Sequence, residues 1–143
     1  MHCFEIKTHR VGMTYDQPHF FILNKGLNSG KPLHNPCPNC FVVTTRSEED
    51  KNTLFHLSMM LQIGGFYAYY LKGSVIPFIG IKDCSKTLKE GMILNVEVYK
   101  HIKIIQAINQ EQERLSQALE KIKLLKKAFI QTCFKESKNK ISA

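Results

Sequence analysis

The spacing of apolar and polar positions changes along the chain. Near the N-terminus the period is two. Phe4, Ile6 and Thr8 alternate with Glu5 and Lys7, which predicts a strand with one covered face. The short apolar run Phe20-Phe21-Ile22-Leu23, within Pro18–Leu23, predicts a buried strand. Phe41-Val42-Val43 with Thr44 and Thr45 predicts another, because β-branched residues fit a pleated, half-covered surface. Between these two, residues 24–38 hold Gly26, Asn28, Gly30 and prolines at 32, 36 and 38, and are expected to form a loop. From Ser47 the period lengthens. Ser47 is placed to cap a helix whose first turn carries Glu48, Glu49 and Asp50. Leu54, Leu57, Met60 or Leu61, and Ile63 then recur at helical spacing as far as Gly64-Gly65. Phe66–Leu71 predicts a second short helix ended by Gly73. Val75–Ile81 predicts a strand in which Pro77 argues for an edge position or a bulge, and Asp83–Gly91 a turn or short helix.

The last third has a heptad-like pattern. Val98, Ile105, Gln112, Leu119, Lys126 and Cys133 fill one position, and His101, Ile108, Leu115, Ile122 and Phe129 its partner. No glycine or proline follows Gly91. A helix over 95–134 would be about 60 Å long at roughly 1.5 Å per residue. That is more than the preceding residues can cover, so part of the apolar face needs another partner. A second copy is the simplest one, which makes a homodimer the expectation. Its interface would be formed by Ile105, Ile108, Leu115, Leu119, Ile122 and Phe129. A bent helix, or a helical hairpin broken near Asn109, is the alternative. The organisation expected is an α+β domain over 1–94, a long helix over 95–134 and a basic tail over 135–143. The fold class is α+β: a small twisted sheet with flanking helices and a long C-terminal coiled-coil-like helix.

Composition narrows the function classes. Apolar residues make up 43% of 143, enough for a core, but no apolar run approaches the roughly 20 residues of a membrane span. The first residues carry no basic-then-apolar pattern, so a cytoplasmic location without membrane association is expected. Five cysteines, an odd and sparse set, point to reduced thiols rather than a disulfide framework. Net charge is +8, which favours nucleic acid or another polyanion as partner.

Candidate chemistry is limited. His34, Cys37 and Cys40 have a spacing that can supply three ligands of a tetrahedral zinc site, with a fourth required from elsewhere. Gly26-Leu27-Asn28-Ser29-Gly30-Lys31 departs from a phosphate-binding loop, since Pro32 stands where Ser or Thr is needed. There is no paired-carboxylate, nucleophile-elbow or cofactor motif, so the reading is non-enzymatic with no cofactor. Lys25, Asn28, Lys31 and His34 lie close in sequence, with Arg46 and Lys72 able to extend the surface. Lysine and arginine neutralise phosphates and asparagine can pair with adenine edges, so these six are the candidate contacts to double-stranded DNA. Tyr67, Tyr69 and Tyr70 are residue types that stack on bases, but their spacing suits a core lining better.

The order of elements adds a resemblance. The strand Cys40–Thr45 is followed by the helix Glu48–Ile63 and the tyrosine-rich Phe66–Leu71. Then come a Gly73-Ser74 turn, the apolar Val75-Ile76-Pro77-Phe78-Ile79 and the helix Ile104–Phe134, with Gln110, Glu111 and Gln112 near its start. This resembles one target-recognition half of a specificity subunit from type I restriction-modification systems. The resemblance implies a sheet-and-helix domain that grips DNA on one face. It also implies a spacer helix that positions two such domains and docks methyltransferase or restriction subunits. A working recognition module, a decoy and an accessory protein are all compatible with it. This chain has one such domain where that family usually has two, and lacks its proline-rich lead into the helix at Leu88–Val96. The chain is also similar to short proteins of Bacteroidetes genomes and their mobile elements, a likeness that assigns no chemistry. Two other classes stay open: a protein-interaction module using the C-terminal helix without DNA, and a small zinc-binding protein.

Overall fold

The structure, a computed structural model, describes residues 4–94 and 97–143. Cys3 and residues 95–96, where the long helix was expected to begin, lie outside the described residues. The fold is mixed α and β. Four antiparallel strands, β1 (Phe4–Thr8), β2 (His19–Leu23), β3 (Pro32–Leu33) and β4 (Cys40–Thr45), form one sheet in the order β1-β4-β2-β3. Among the described residues three α-helices follow: α1 (Glu48–Ile63), α2 (Ile81–Ile93) and α3 (Val98–Ser142). The chain divides into two compact units, residues 1–99 and 100–143.

Register decides which side chains form the core. Ile6 pairs with Val43, Phe20 with Val43 and Ile22 with Phe41, and paired residues of antiparallel strands point to one face. On that face Phe20, Ile22, Phe41 and Val43 are buried with Leu54, Leu57 and Leu61 of α1 and Cys84 and Leu88 of α2. The alternate residues Phe21, Cys40 and Val42 make a second, smaller cluster on the other face, with Tyr15, Leu33 and Cys37 against it.

α1 starts as expected, with the Ser47 hydroxyl accepting from the Asp50 amide at 3.1 Å and three acids in the first turn. Gly64 closes it. α2 realises the helical alternative expected over Asp83–Gly91 and extends it to Ile81–Ile93. Its buried residues Cys84, Thr87, Leu88 and Gly91 fall at i, i+3, i+4 and i+7, a helical face built partly from residues that are not conspicuously apolar. Gly91 lets α1 approach: a Cβ there would stand 3.0 Å from Leu61 Cδ1.

Val75–Ile81 does not form the expected strand. Only Phe78 makes bridges, to Lys25 and to Lys72, and Ile81 already begins α2. Phe66–Leu71 reduces to a single 3-10 turn at Ala68–Tyr70. α3 is continuous, with no break at Asn109, and runs to Ser142; the tail expected over 135–143 is largely helix. Residues 135–142 contain no helix breaker. Among the described residues no helix is long and apolar enough to cross a membrane.

Candidate functional site

The loop after β2 is built on a buried hydrogen-bond network. Gly30, at φ 97, carries its carbonyl to the Ser58 hydroxyl at 3.1 Å, and Ser58 in turn meets the Tyr67 hydroxyl at 3.1 Å. A side chain at Gly30 would overlap the Tyr67 ring, so the position needs glycine for both backbone and space. Tyr67 is fully buried, and burial pushes its hydroxyl well above the usual range. It belongs to the core, as its spacing suggests, while Tyr69 is exposed.

This anchoring brings three chain segments together. Ile79 N–H donates to the Asn24 carbonyl at 3.0 Å, and Gly26 N–H to the Pro77 carbonyl at 2.7 Å. Phe78 and Lys72 exchange both backbone hydrogen bonds, at 2.8 and 2.9 Å. Phe78 therefore lies opposite Lys25 on one side and Lys72 on the other. Opposed residues project to the same face with Cα atoms roughly 5 Å apart, which sets the two lysines on the order of 10 Å apart across Phe78. Lys25, Lys72 and Phe78 are all exposed, and so are Leu27, Val75 and Ile76 beside them. Lys72 Nζ is 3.3 Å from the Asp83 carboxylate, and Lys86 lies 5.8 Å over the Tyr70 ring.

The other candidate contacts scatter. Asn28 and Lys31 are exposed and share the loop with Lys25. His34 stacks on Phe55 of α1, ring centroids 4.3 Å apart. Arg46 follows β4, whose last residue Thr45 bonds the Pro18 carbonyl at the far end of β2 from Lys25. Lys25, Asn28, Lys31 and Lys72 thus gather at one end of the sheet, and Arg46 stands at the other.

His34, Cys37 and Cys40 do not converge. Cys37 lies with Cys40 against the face opposite α1, while His34 stacks on α1. The Cys40 thiol donates to the Cys37 carbonyl at 3.0 Å and accepts from its amide at 3.4 Å, and burial pushes its pKa up to about 11. A buried, protonated thiol is a poor metal ligand. Among the described residues no three His, Cys, Asp or Glu side chains form a cation site. Sequence reasoning missed a ring cluster on this face: His9 Nδ1 is 2.9 Å from the Tyr15 hydroxyl, and both rings pack near Phe21 with His19. The alternation of His19 and Phe21 with buried Phe20 and Ile22 was its one legible sign.

α3 carries the other candidate surface. Its 45 residues span about 67 Å at roughly 1.5 Å per residue. Ile105 is half-buried, whereas Ile108, Leu115, Leu119, Ile122 and Phe129 are each more than half exposed. These are the seam positions of the heptad reading, and they lie on one stripe of a continuous helix. Within the helix Glu111 binds Arg114, Nε to Oε2 at 2.9 Å, and Glu120 binds Lys123 at 2.7 Å. The Arg114 guanidinium holds the Glu111 carboxyl below its usual range.

Residues 6–132 match DUF6943, a family of unknown function. The chain belongs to that family. The match runs from β1 into α3 and takes in both the Lys25–Phe78–Lys72 surface and the α3 stripe as far as Phe129. No curated protein and no solved structure matches the chain.

Proposed function

We propose that the protein is a non-enzymatic interaction module whose working unit is a homodimer joined through α3. The observation that carries this is the stripe Ile108, Leu115, Leu119, Ile122, Phe129, exposed along a helix with no break. Monomeric soluble proteins rarely leave apolar surface contiguous over such a length, and a heptad seam is the pattern that a second helix covers. Sedimentation of the whole protein over a hundredfold range of concentration tests it. The expected result is a monomer–dimer equilibrium that Leu119→Glu with Ile122→Glu shifts to monomer. A wild-type chain that is monomeric throughout would overturn it.

A second activity, binding of double-stranded DNA, is favoured by the pairing of Lys25 and Lys72 across exposed Phe78, with Asn28 and Lys31 on the same loop. It agrees with the net charge of +8 and with the resemblance to a type I specificity half, in which helices hold two recognition domains at a set separation. In this reading the dimer supplies from two copies the two domains that the family usually carries in one chain. Docking of methyltransferase or restriction subunits, and a cytoplasmic setting, belong to the same proposal.

A further inference from the structure

We infer that α3 pairs with α3 of a second copy in the antiparallel sense, centred on Gln117. The inference rests on the dimer reading above and adds its geometry. Charges on this helix are antisymmetric about Gln117. Six residues away stand Glu111 on one side and Lys123 on the other; four away, Glu113 and Lys121; three away, Arg114 and Glu120. These six are all the charged residues between Ile104 and Leu125. In an antiparallel pair centred here, each lies level with an opposite charge of the other helix; Glu113, Arg114, Glu120 and Lys121 stand away from the seam, so they act at long range rather than in contact. In a parallel pair in register, each lies level with its own copy.

The C-terminal half sharpens the contrast. Residues 121–140 hold seven lysines and one acid. Parallel pairing would set this block against itself, at helix separations of about 8–10 Å that do not exceed a Debye length of about 10 Å. Antiparallel pairing sets Lys126 level with Ile108 and Lys127 level with Ala107, where the lysine stems can lie along apolar surface with their ammonium groups in water. Two apolar layers fit the same alignment, Leu115 with Leu119 and Ile105 with Phe129, each a pairing of the two seam positions, while Ile122 meets Gln112. The internal pairs Glu111–Arg114 and Glu120–Lys123 need not be lost, because a carboxylate has lone pairs for more than one donor.

Exposed Cys133 provides the measurement. In the antiparallel pair it lies level with His101 of the second copy, so the two Cys133 stand about 48 Å apart along the axis at roughly 1.5 Å per residue. Parallel helices would bring them to about 10 Å. A nitroxide is attached at Cys133 in the full-length chain carrying Cys3→Ser and Cys37→Ser, and the distance is read by pulsed electron paramagnetic resonance. A distance near 48 Å is expected. A short distance, or ready formation of a Cys133 disulfide, would overturn the orientation while leaving the dimer. A monomer in sedimentation, including one that instead binds anionic phosphatidylglycerol vesicles, would overturn the dimer reading and this inference together. As a second arm, Glu111→Lys with Glu113→Lys should weaken association about twofold at low salt and less at high salt, since charges level with Lys123 and Lys121 of the second copy change sign at long range rather than in contact. Adding Lys121→Glu and Lys123→Glu should restore it. Failure to restore it in a chain of unchanged helicity would count against antiparallel pairing.

Discussion

Cys84 lies wholly inside the core, and burial pushes its thiol from 9.0 up to about 12. Cys40 shifts the same way, to about 11, and the Tyr67 hydroxyl also rises. In each case the neutral form is the one the fold holds. Above pH 9 the unfolded chain loses these protons while the folded chain keeps them, so stability is complete below pH 9 and falls as pH rises toward 12. The steepest contribution from one thiol is about 1.4 kcal/mol per pH unit. Urea unfolding at pH 8, 9, 10 and 11 should show this decline, and Cys84→Ala should show a shallower one. Identical slopes would mean that Cys84 is reached by water or titrates normally. Residue-scale details of this kind were only partly legible. The spacing put Tyr67, Tyr69 and Tyr70 alike in the core, which holds for Tyr67 and fails for exposed Tyr69. The Tyr67 partners Ser58 and Gly30 could not be read, because they meet it through the tertiary fold. The separation of His34 from Cys37 was equally hidden: three residues of sequence carry the chain from one face of the sheet to the other.

At the level of elements, legibility followed how many independent signals agreed. β1 had alternation, β4 had β-branched residues, and α1 had a cap, an acidic first turn, a periodic face and a closing glycine; all three formed where expected. Val75–Ile79 had only its β-branched character, and Pro77 withheld a donor, so a single bridging residue resulted. α2 was under-read because a thiol, a threonine and a glycine fill three of the four buried positions on its face. Gly91 shows the consequence. It lies at the α1–α2 contact, lining a cleft of about 280 Å³ with Leu57, Leu61 and Phe66, and its hydrogen leaves room for Leu61. Gly91→Val should cost about 1–3 kcal/mol by overfilling that contact, beyond any gain in helix propensity. Thermal or urea unfolding of the variant checks it. A neutral or stabilising result would show that Leu61 can turn into the cleft instead.

For the whole molecule the question is whether charge acts as a total or as a place. The chain is +8 overall, and a total of that size binds any polyanion weakly. The sequence reading put Lys25, Asn28, Lys31 and His34 into one candidate surface that Arg46 and Lys72 could extend. The sheet order divides them, because β2 and β4 run antiparallel and carry Lys25 and Arg46 to opposite ends. Lys72, 47 residues beyond Lys25, joins it through Phe78, a contact no local pattern could announce. The two possibilities separate under an equal change of charge. Lys25→Gln with Lys72→Gln removes two positive charges at the patch, and Arg46→Glu changes the total by the same two at the other end of the sheet. If the patch contacts phosphates, the first variant should lower the slope of log affinity against log salt by about 2, roughly 0.9 for each lost contact, and Arg46→Glu should leave it near the wild-type value. Titration of a labelled duplex by fluorescence anisotropy between 25 and 200 mM salt measures both. Equal losses would reduce the DNA reading to net charge, and no binding by the wild type at 25 mM would remove it, leaving α3 association as the activity of the fold.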